Sequence, residues 1–483
     1  MGFLSSMLDF SNLRKIDCKN DKLQYEQIRH VWMNHLYNKE FIEDYLGLVY
    51  PYTNNIDYAF NKFESEKKFA DKVNENIMLF NATDTIKINN YEIQLLKNNK
   101  NIEINIDLKY DEKLSRNRNK IIEEKKGPKL YNILFVYIDS LSRSHFFRKM
   151  EKVSRFLEKF FSKEKNNSTK YESFQFMKYQ TFKNDYYKSS IQTIFYNKTK
   201  NQKDNYKYYH ILSLLKKNGY VTGQSANICS KEFFSYDLEK ETKFFKTTQI
   251  EEYDHENIAM FCDPFYFDDS EENTSNRKNV KGINSSLKRC LYSKNSFEYV
   301  LEYGYQFWSK YKDNKKFLRL GFFDGNEKTG EVIKYLDEYL YEFLSKLYNE
   351  DLLENTILFI VSGQGNTYSN LFNNYNYEDF LIEKYIGSLF ILMDINNLDK
   401  DEIFLINMRK NQQNMITPYD IKETLISISN NNFYNEINRN QINLDEFNQK
   451  GKSLFSYINS KERNCQKYKQ TTEEVCRCSD YNI

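Results

Sequence analysis

The stretch YNILFVYIDS, residues 131–140, is a nearly continuous apolar run that ends at the carboxylate of Asp139. A run without polar alternation is typical of a strand buried on both faces of a parallel sheet. Similar runs occupy residues 317–323, 356–361 and 387–393, and amphipathic segments with helical spacing separate them. This alternation predicts a doubly wound α/β fold with a mostly parallel sheet.

The two ends of the chain carry different patterns. Residues 21–50 have helical spacing and residues 91–108 alternate like paired strands, which predicts an N-terminal α+β extension. A charged stretch closed by Gly127-Pro128 marks its boundary. We therefore predict three parts: the extension (1–128), the α/β domain (129–460) and a cysteine-containing tail packed on it (461–483).

The composition excludes some classes of function. Hydrophobic residues make up 40% of the 483 residues, which allows a large core. The 70 basic and 68 acidic residues are interspersed and leave a formal net charge of +2. Because nucleic-acid-binding proteins concentrate basic residues in patches, we expect no nucleic-acid partner. No apolar run reaches the ~18 residues of a membrane-spanning helix, so no transmembrane segment is predicted in this chain.

The sequence contains signals for two different compartments. The start, MGFLSS, matches the M-G-x-x-x-S pattern and places Gly2 for N-myristoylation in the cytoplasm. Three of the seven cysteines crowd the tail, at Cys465, Cys476 and Cys478, and no histidine follows His255 to complete a zinc site. Disulfides suit these cysteines better, and N-glycosylation sequons agree with an oxidising compartment. The residues alone leave both locations open.

Several segments after residue 130 resemble one family. NILFVYIDSLSRSHFFRKM (132–150) is similar to its first strand and S-R-x-x-F-x-R motif, and KKNGYVTG (216–223) to its G-Y-V-T strand. Residues 311–365 resemble its centre, where an L-x-N-T lead enters a strand that normally ends in S-D-H-G. Here that strand ends in Ser362-Gly363-Gln364-Gly365.

The closing segments resemble the same family. ITPYDIKETLISI (416–428) is similar to its T-x-x-D-x-x-x-T-L helix. GKSLFSYINSKERNCQKYKQTTEEVCRCSD (451–480) is similar to its closing G-x-S-L-F, R-x-C and C-x-C signature. The similarity covers residues 130–483, and the family is the eukaryotic alkaline-phosphatase/sulfatase-like group called domain of unknown function 229.

The resemblance implies an alkaline-phosphatase-like α/β/α sandwich. Enzymes of this superfamily use two metal ions, commonly zinc, to clamp the attacking and leaving oxygens of a phosphate or sulfate ester. Such a centre needs several Asp and His ligands and a Ser, Thr or Cys nucleophile. The resemblance also implies an extracellular, cell-surface or lumenal domain and so favours disulfides over myristoylation. We predict one disulfide among the three tail cysteines and another between Cys262 and Cys290, across a polar insertion.

The chain departs from the family pattern at most ligand positions. Asp139 matches the first ligand, with capping of the following helix as its alternative role. Gly363 and Gln364 stand where the Asp-His pair is expected, and Asn326 stands where a histidine is frequent. Tyr186 falls at the position of the nucleophile, and none of the five histidines lies on a strand end that carries a family ligand. The pattern predicts a metal site that has lost its ligands.

Three functions follow from these observations. The favoured one is a non-catalytic domain that binds a ligand or a protein partner and has no cofactor. The first alternative is an active phosphate- or sulfate-ester hydrolase or transferase. It would use a rearranged site of Asp139, Asp324 and Glu327 with Mg, Mn or Zn, and Ser189 or Ser190 as the nucleophile. The second alternative is a cytosolic adaptor myristoylated at Gly2.

Overall fold

We analysed a computed structural model of the chain. It describes residues 32–33, 77–78, 85–88, 91–98, 101–125, 131–161, 170–181, 190–200, 206–228, 253–257, 261, 290–291, 294–325, 330–365, 377–396, 398–399, 402–433, 451–460 and 463.

Strands and helices alternate along the described chain. The strands are β1 Trp32–Met33, β2 Ile77–Met78, β3 Thr85–Ile88, β4 Tyr91–Asn98, β5 Asn101–Leu108, β6 Asn132–Ile138, β7 Tyr171–Gln175, β8 Lys178–Tyr179, β9 Tyr196–Lys200, β10 Tyr206–His210, β11 Val221–Ala226, β12 His255–Asn257, β13 Cys290–Leu291, β14 Lys294–Asn295, β15 Lys316–Phe322, β16 Thr356–Ser362, β17 Leu389–Asp394 and β18 Met415–Ile416. The helices are α1 Glu112–Glu124, α2 Arg143–Lys149, α3 Glu151–Glu158, α4 Ser190–Phe195, α5 Ile211–Lys217, α6 Ser296–Lys310, α7 Lys334–Asn349, α8 Tyr377–Tyr385, α9 Ile403–Asn411 and α10 Pro418–Ser429.

A sheet of seven strands, in the order β12-β11-β15-β6-β16-β17-β7, forms the centre of the fold. The first five strands pair in parallel, whereas β17 pairs antiparallel with both of its neighbours. Every residue of β6, β15, β16 and β17 is buried, as their apolar runs predict. The predicted doubly wound α/β fold with a mostly parallel sheet is confirmed.

Helices cover both faces of the sheet. Successive side chains of a strand point to opposite faces, so the apolar strands present apolar side chains on both. On β15, Leu318 and Leu320 face Gly304 of α6. The residue between them, Arg319, points to the other face, where its guanidinium lies over the ring of Phe195 in α4 at 4.9 Å. Helices α4 and α5 pack in turn against α10. The core therefore lies on both sides of the sheet, as a doubly wound fold requires.

The end of the N-terminal extension packs on the main core. The paired strands predicted in residues 91–108 are β4 and β5, which form an antiparallel hairpin. The backbone N–H of Leu108 donates to Gln306 Oε1 of α6 at 2.8 Å, and the Leu108 side chain is buried in the core. In the segment predicted to be helical, the described pair Trp32–Met33 is a strand and pairs with β2, so the helical prediction is wrong at these two residues. The predicted domain boundaries stay a prediction.

A closing segment, residues 451–460 and Arg463, is tied to α10 through one buried carboxylate. Asp420 is fully buried and receives both guanidinium nitrogens of Arg463 at 2.8 Å. It also accepts the Thr417 N–H at 2.8 Å and the Lys452 N–H at 2.7 Å. Gly451 leaves no space for a side chain, because a Cβ there would lie 2.4 Å from the Tyr419 carbonyl oxygen. The closing signature and the T-x-x-D-x-x-x-T-L helix thus form one structural unit.

Candidate functional site

Four strand ends meet at one edge of the sheet and bring the candidate residues together. Because β11, β15, β6 and β16 are parallel neighbours, their carboxyl ends lie side by side. Asn227, Asp139 and Gly363 directly follow β11, β6 and β16, and Asp324 is the second residue after the end of β15. Three of the four are sites named from the sequence, and all lie where the ligand crevice of an α/β sheet is expected.

Asp139 is buried and bound by two neighbouring hydroxyls. Tyr137 donates to its Oδ1 at 2.8 Å, and Ser140 donates to its Oδ2 at 3.1 Å. Burial raises the pKa of Asp139, and the two hydroxyl donors oppose that shift. Helix α2 is capped by the side chain of Ser142, which accepts the His145 N–H. The alternative role of Asp139 as a helix cap is therefore wrong.

Ser140 has an unusual backbone. Its φ is +54°, in the left-handed region that non-glycine residues rarely adopt. Such a conformation costs about 1–2 kcal/mol relative to a regular one. The strain is located at the turn that holds the candidate carboxylate. Strained backbone at such a position is a feature of functional or formerly functional sites.

The space beside Gly363 is filled by Tyr137. A Cβ built on Gly363 would lie 2.4 Å from the Tyr137 hydroxyl oxygen and 2.8 Å from Asp139 Oδ1. Both distances are far below a van der Waals contact, so position 363 accepts no side chain while Tyr137 keeps this position. The glycine at position 363 is therefore accompanied by a tyrosine hydroxyl from the neighbouring strand, which lies where a side chain would begin.

Asp324 is also buried and partly satisfied by protein donors. Its Oδ2 accepts from Asn227 Nδ2 at 2.7 Å, and the same amide reaches Ser296 Oγ, at the start of α6, at 3.2 Å. Asn227 Oδ1 accepts the Phe323 N–H at 2.9 Å and so fixes the strand end. Asp324 Oδ1 has no hydrogen-bond partner among the described residues. This oxygen is the feature of the site that best suits a cation.

The turn after β16 is anchored to α8. The Gly365 N–H donates to the Lys384 carbonyl at 2.8 Å, and a Cβ on Gly365 would lie 1.9 Å from the Glu383 carbonyl oxygen. Gln364 lies between the two glycines and is half-buried. The backbone of this turn is fixed by close approach to α8, so Gly365 has a structural reason to be glycine.

The S-R-x-x-F-x-R motif builds a polar network under that turn. Ser142 and Arg148 both donate to the buried carboxylate of Glu383, the second at 2.9 Å. His145 Nε2 donates to the Gly330 carbonyl at 2.6 Å, and Arg148 lies 3.3 Å from its Nδ1. Burial lowers the pKa of His145 to about 4, so the ring is neutral and serves as a structural clamp.

Some of the other predicted residues lie in the described ranges and the rest lie outside them. Ser190 is the first residue of the six-residue helix α4 and is buried beside Tyr179. His255 lies in strand β12, where its Nε2 is 2.8 Å from the Tyr311 hydroxyl. The predicted residues that lie outside the described ranges are Gly2, Tyr186, Ser189, Cys262, Asn326, Glu327, Cys465, Cys476 and Cys478. Cys290 lies in β13, without a described side chain.

Comparison with known proteins identifies the family. A family model described as "Protein of unknown function (DUF229)" matches residues 12–483. The chain belongs to this family. The match includes most of the N-terminal extension as well as the α/β domain. A search of curated proteins found no match.

The DUF229 chain is also similar to solved structures. The lipoteichoic acid synthase LtaP from Listeria monocytogenes is 14% identical, with a TM-score of 0.37 over 65% of this chain and 78% of that one. A protein of the alkaline phosphatase superfamily from Vibrio parahaemolyticus is 12% identical, with a TM-score of 0.38 over 66% and 76%. The periplasmic domain of phosphoethanolamine transferase EptC from Campylobacter jejuni is 10% identical, with a TM-score of 0.36 over 62% and 90%.

The described residues of this DUF229 protein do not fit a dinuclear zinc centre. Among them, no group of three His, Cys, Asp or Glu side chains is arranged to hold a metal ion. Asp139 has both oxygens bound by hydroxyls, and position 363 is closed to a ligand by Tyr137. Of the described carboxylates at this edge, Asp139 and Asp324, only the second has an oxygen without a hydrogen-bond partner, and one monodentate ligand is too few for zinc.

Two residues that shape the site were not recognised from the sequence. Tyr137 lies two residues before Asp139 and therefore on the same side of β6, a relation that the period of a strand could have revealed. Asn227 follows β11 as Asp139 follows β6, so the rule that crevices lie at carboxyl strand ends applies to it equally. Both are polar groups that satisfy a buried carboxylate.

Proposed function

We propose that this protein is a non-catalytic alkaline-phosphatase-like domain that acts by binding. The proposal rests on the burial and hydrogen bonding of Asp139. In this site the carboxylate is buried and receives hydroxyl donors on both oxygens, from Tyr137 and Ser140. Hydroxyl donors thus occupy two of the roughly four acceptor sites of this carboxylate, so a cation has less to gain here than at a carboxylate without donors.

Hydrolysis of a phosphate or sulfate ester requires strong stabilisation of developing negative charge. Metal ions supply that stabilisation in the superfamily to which the chain is similar. The described edge of the sheet offers instead two buried carboxylates, Asp139 and Asp324, which would repel an ester oxyanion.

Turnover assays test the proposal. The full chain would be assayed with aryl phosphate and aryl sulfate esters after addition of Zn²⁺, Mg²⁺ or Mn²⁺. We expect no turnover above that of the matched variant Asp139→Asn, which keeps the shape of the side chain and removes its charge. Metal-dependent turnover that is lost in Asp139→Asn would refute the proposal.

The alternative of a rearranged active site has one observation in its favour. Asp324 Oδ1 is buried without a described partner, and an oxygen ligand of this kind suits Mg²⁺ or Mn²⁺. This alternative needs Glu327 and either Ser189 or Ser190 to complete the site. It predicts that Asp324→Asn and Glu327→Gln abolish the metal-dependent turnover, and that Mg²⁺ or Mn²⁺ supports this turnover better than Zn²⁺ does.

For the binding role, we propose that the surface around Arg143 contacts an acidic group of a protein partner. Six of the eight described arginines form ion pairs, whereas Arg143 has no carboxylate within 4 Å among the described residues. Its guanidinium lies over the ring of Phe147 at 5.7 Å, and that ring is 37% exposed. The partner recovered with native protein should be lost from Arg143→Glu and retained by Arg155→Glu, a surface control.

We further propose that the protein is located in the secretory pathway or outside the cell. The support is the cysteine-containing tail, for which a disulfide among Cys465, Cys476 and Cys478 is predicted, with a second one between Cys262 and Cys290. None of the helices in the described ranges is long and apolar enough to cross a membrane. Non-reducing peptide mass spectrometry of native protein tests both bonds. Free thiols throughout, together with a myristoylated Gly2, would instead support the cytosolic adaptor, which no described residue favours.

A further inference from the structure

We infer that Tyr137 is the residue that closes this site to a ligand at position 363. The family pattern calls for an aspartate at this position, and the chain has glycine. In this structure the Tyr137 hydroxyl occupies the volume in which a side chain at position 363 would begin.

The pairing of β6 with β16 places the two residues together. Ser362 lies opposite Ile138, and Val361 lies opposite Tyr137, so Gly363 follows level with Asp139. Tyr137 and Asp139 share one side of β6, and the phenol extends along that side to the Asp139 carboxylate. The hydroxyl therefore lies between the Asp139 carboxylate and the backbone of Gly363. A metal ligand at position 363 would have to occupy the same space in order to act together with Asp139.

The exclusion is steric and comes from the side chain of Tyr137. Gly363 does not have a positive φ, so its backbone is compatible with alanine or aspartate. A Cβ would lie 2.4 Å from the hydroxyl oxygen but 3.3 Å from the ring carbon that bears it. Removing the oxygen takes away the shortest contact and leaves the ring carbon at 3.3 Å, so that only Asp139 Oδ1 must still move. Asp139 Oδ1, at 2.8 Å, is the free end of a side chain.

The same hydroxyl also replaces a cation in the electrostatics of the site. A buried carboxylate needs a cation or hydrogen-bond donors, and Tyr137 and Ser140 supply one donor to each oxygen. The tyrosine is buried and its ring lies 6.1 Å from that of Phe323, which holds it in place. One side chain therefore both blocks the ligand position and satisfies the remaining ligand. This inference concerns the site itself and holds whichever function the domain performs.

A double-mutant cycle without metal tests the steric part. Gly363→Ala should lower the denaturation midpoint markedly in the presence of Tyr137. In the Tyr137→Phe background, the same substitution should lower it much less, because the oxygen is gone. The matched control is Tyr220→Phe, which removes another fully buried hydroxyl, one that donates to the Tyr131 carbonyl. It should give no rescue. Equal costs of Gly363→Ala in the two backgrounds would overturn the inference.

A metal titration tests the consequence for ligands. The variant Gly363→Asp/Gln364→His restores the family residues, and the triple variant adds Tyr137→Phe. We expect the triple variant to bind Zn²⁺ at least about tenfold more tightly than the double variant, measured by calorimetry on folded protein. Equal zinc affinity, or no zinc binding by either, would overturn the inference. Because the readout is metal binding by variants, it is independent of the turnover assay on the natural chain.

Discussion

The ion pair between Asp420 and Arg463 allows a quantitative prediction about the family signature. Asp420 is fully buried, and Arg463 has 11% of its side chain exposed. Breaking a buried pair by removing one partner usually costs about 3–5 kcal/mol. In Arg463→Met, Asp420 keeps the Thr417 hydroxyl at 2.9 Å and two backbone N–H donors. We therefore expect the lower end of that range, a loss of about 3 kcal/mol in the free energy of unfolding.

The assay is equilibrium unfolding in urea, followed by tryptophan fluorescence, since Trp308 is fully buried in the core. The control is Arg155→Met, which breaks the pair with Glu151 on the surface, where both side chains are more than half exposed. That pair is worth less than about 0.5 kcal/mol. Adding Asp420→Asn to Arg463→Met should cost less than the sum of the single effects. Equal losses of unfolding free energy for Arg463→Met and Arg155→Met would refute the claim that Arg463 of the closing signature has a structural role.

Two further predictions follow from buried groups. Burial lowers the pKa of both His145 and His255 from 6.5 to about 4, so the unfolded chain binds more protons between these values and stability falls as the pH falls from about 6.5 to 4. Each histidine should contribute a loss of about 3 kcal/mol, and His145→Gln should flatten the curve of unfolding free energy against pH, whereas an unchanged slope would contradict the assignment. Gly451→Ala and Gly365→Ala should each lower the thermal midpoint strongly, because a Cβ would meet a backbone carbonyl at 2.4 Å or closer. Midpoints within a degree or so of wild type would show that these close approaches are not required.

The fold could be predicted largely because its strands are simple. Continuous apolar runs such as 132–138 and 356–362 are buried on both faces, so composition alone marks them. The first helical segment was harder, since residues 32–33 form a strand within a helical spacing. A strand of two residues is too short to show the apolar and polar alternation by which strands are recognised in a sequence.

The sequence could predict that the candidate residues lie at one edge of the sheet, but it predicted few of their contacts. Asp139, Asp324 and Gly363 were placed at strand ends by the buried runs before them, and the parallel pairing brings them to one edge. The contact between Tyr137 and Gly363 depends on the register of β6 against β16, which no local pattern specifies. The partners of Glu383 and Asp420 also come from distant parts of the chain. The sequence motifs identified these residues, but their contact partners could be identified only from the folded structure.

The most direct test of the central claim is the metal content of the native protein. The full chain would be purified without chelator, equilibrated with Zn²⁺ and Mg²⁺, freed of unbound ions and analysed by elemental mass spectrometry beside Asp139→Asn. A site closed by Tyr137 predicts metal far below one ion per chain, with no difference between the two proteins. Stoichiometric metal that is lost in Asp139→Asn would contradict the claim and show that Asp139 is a working ligand.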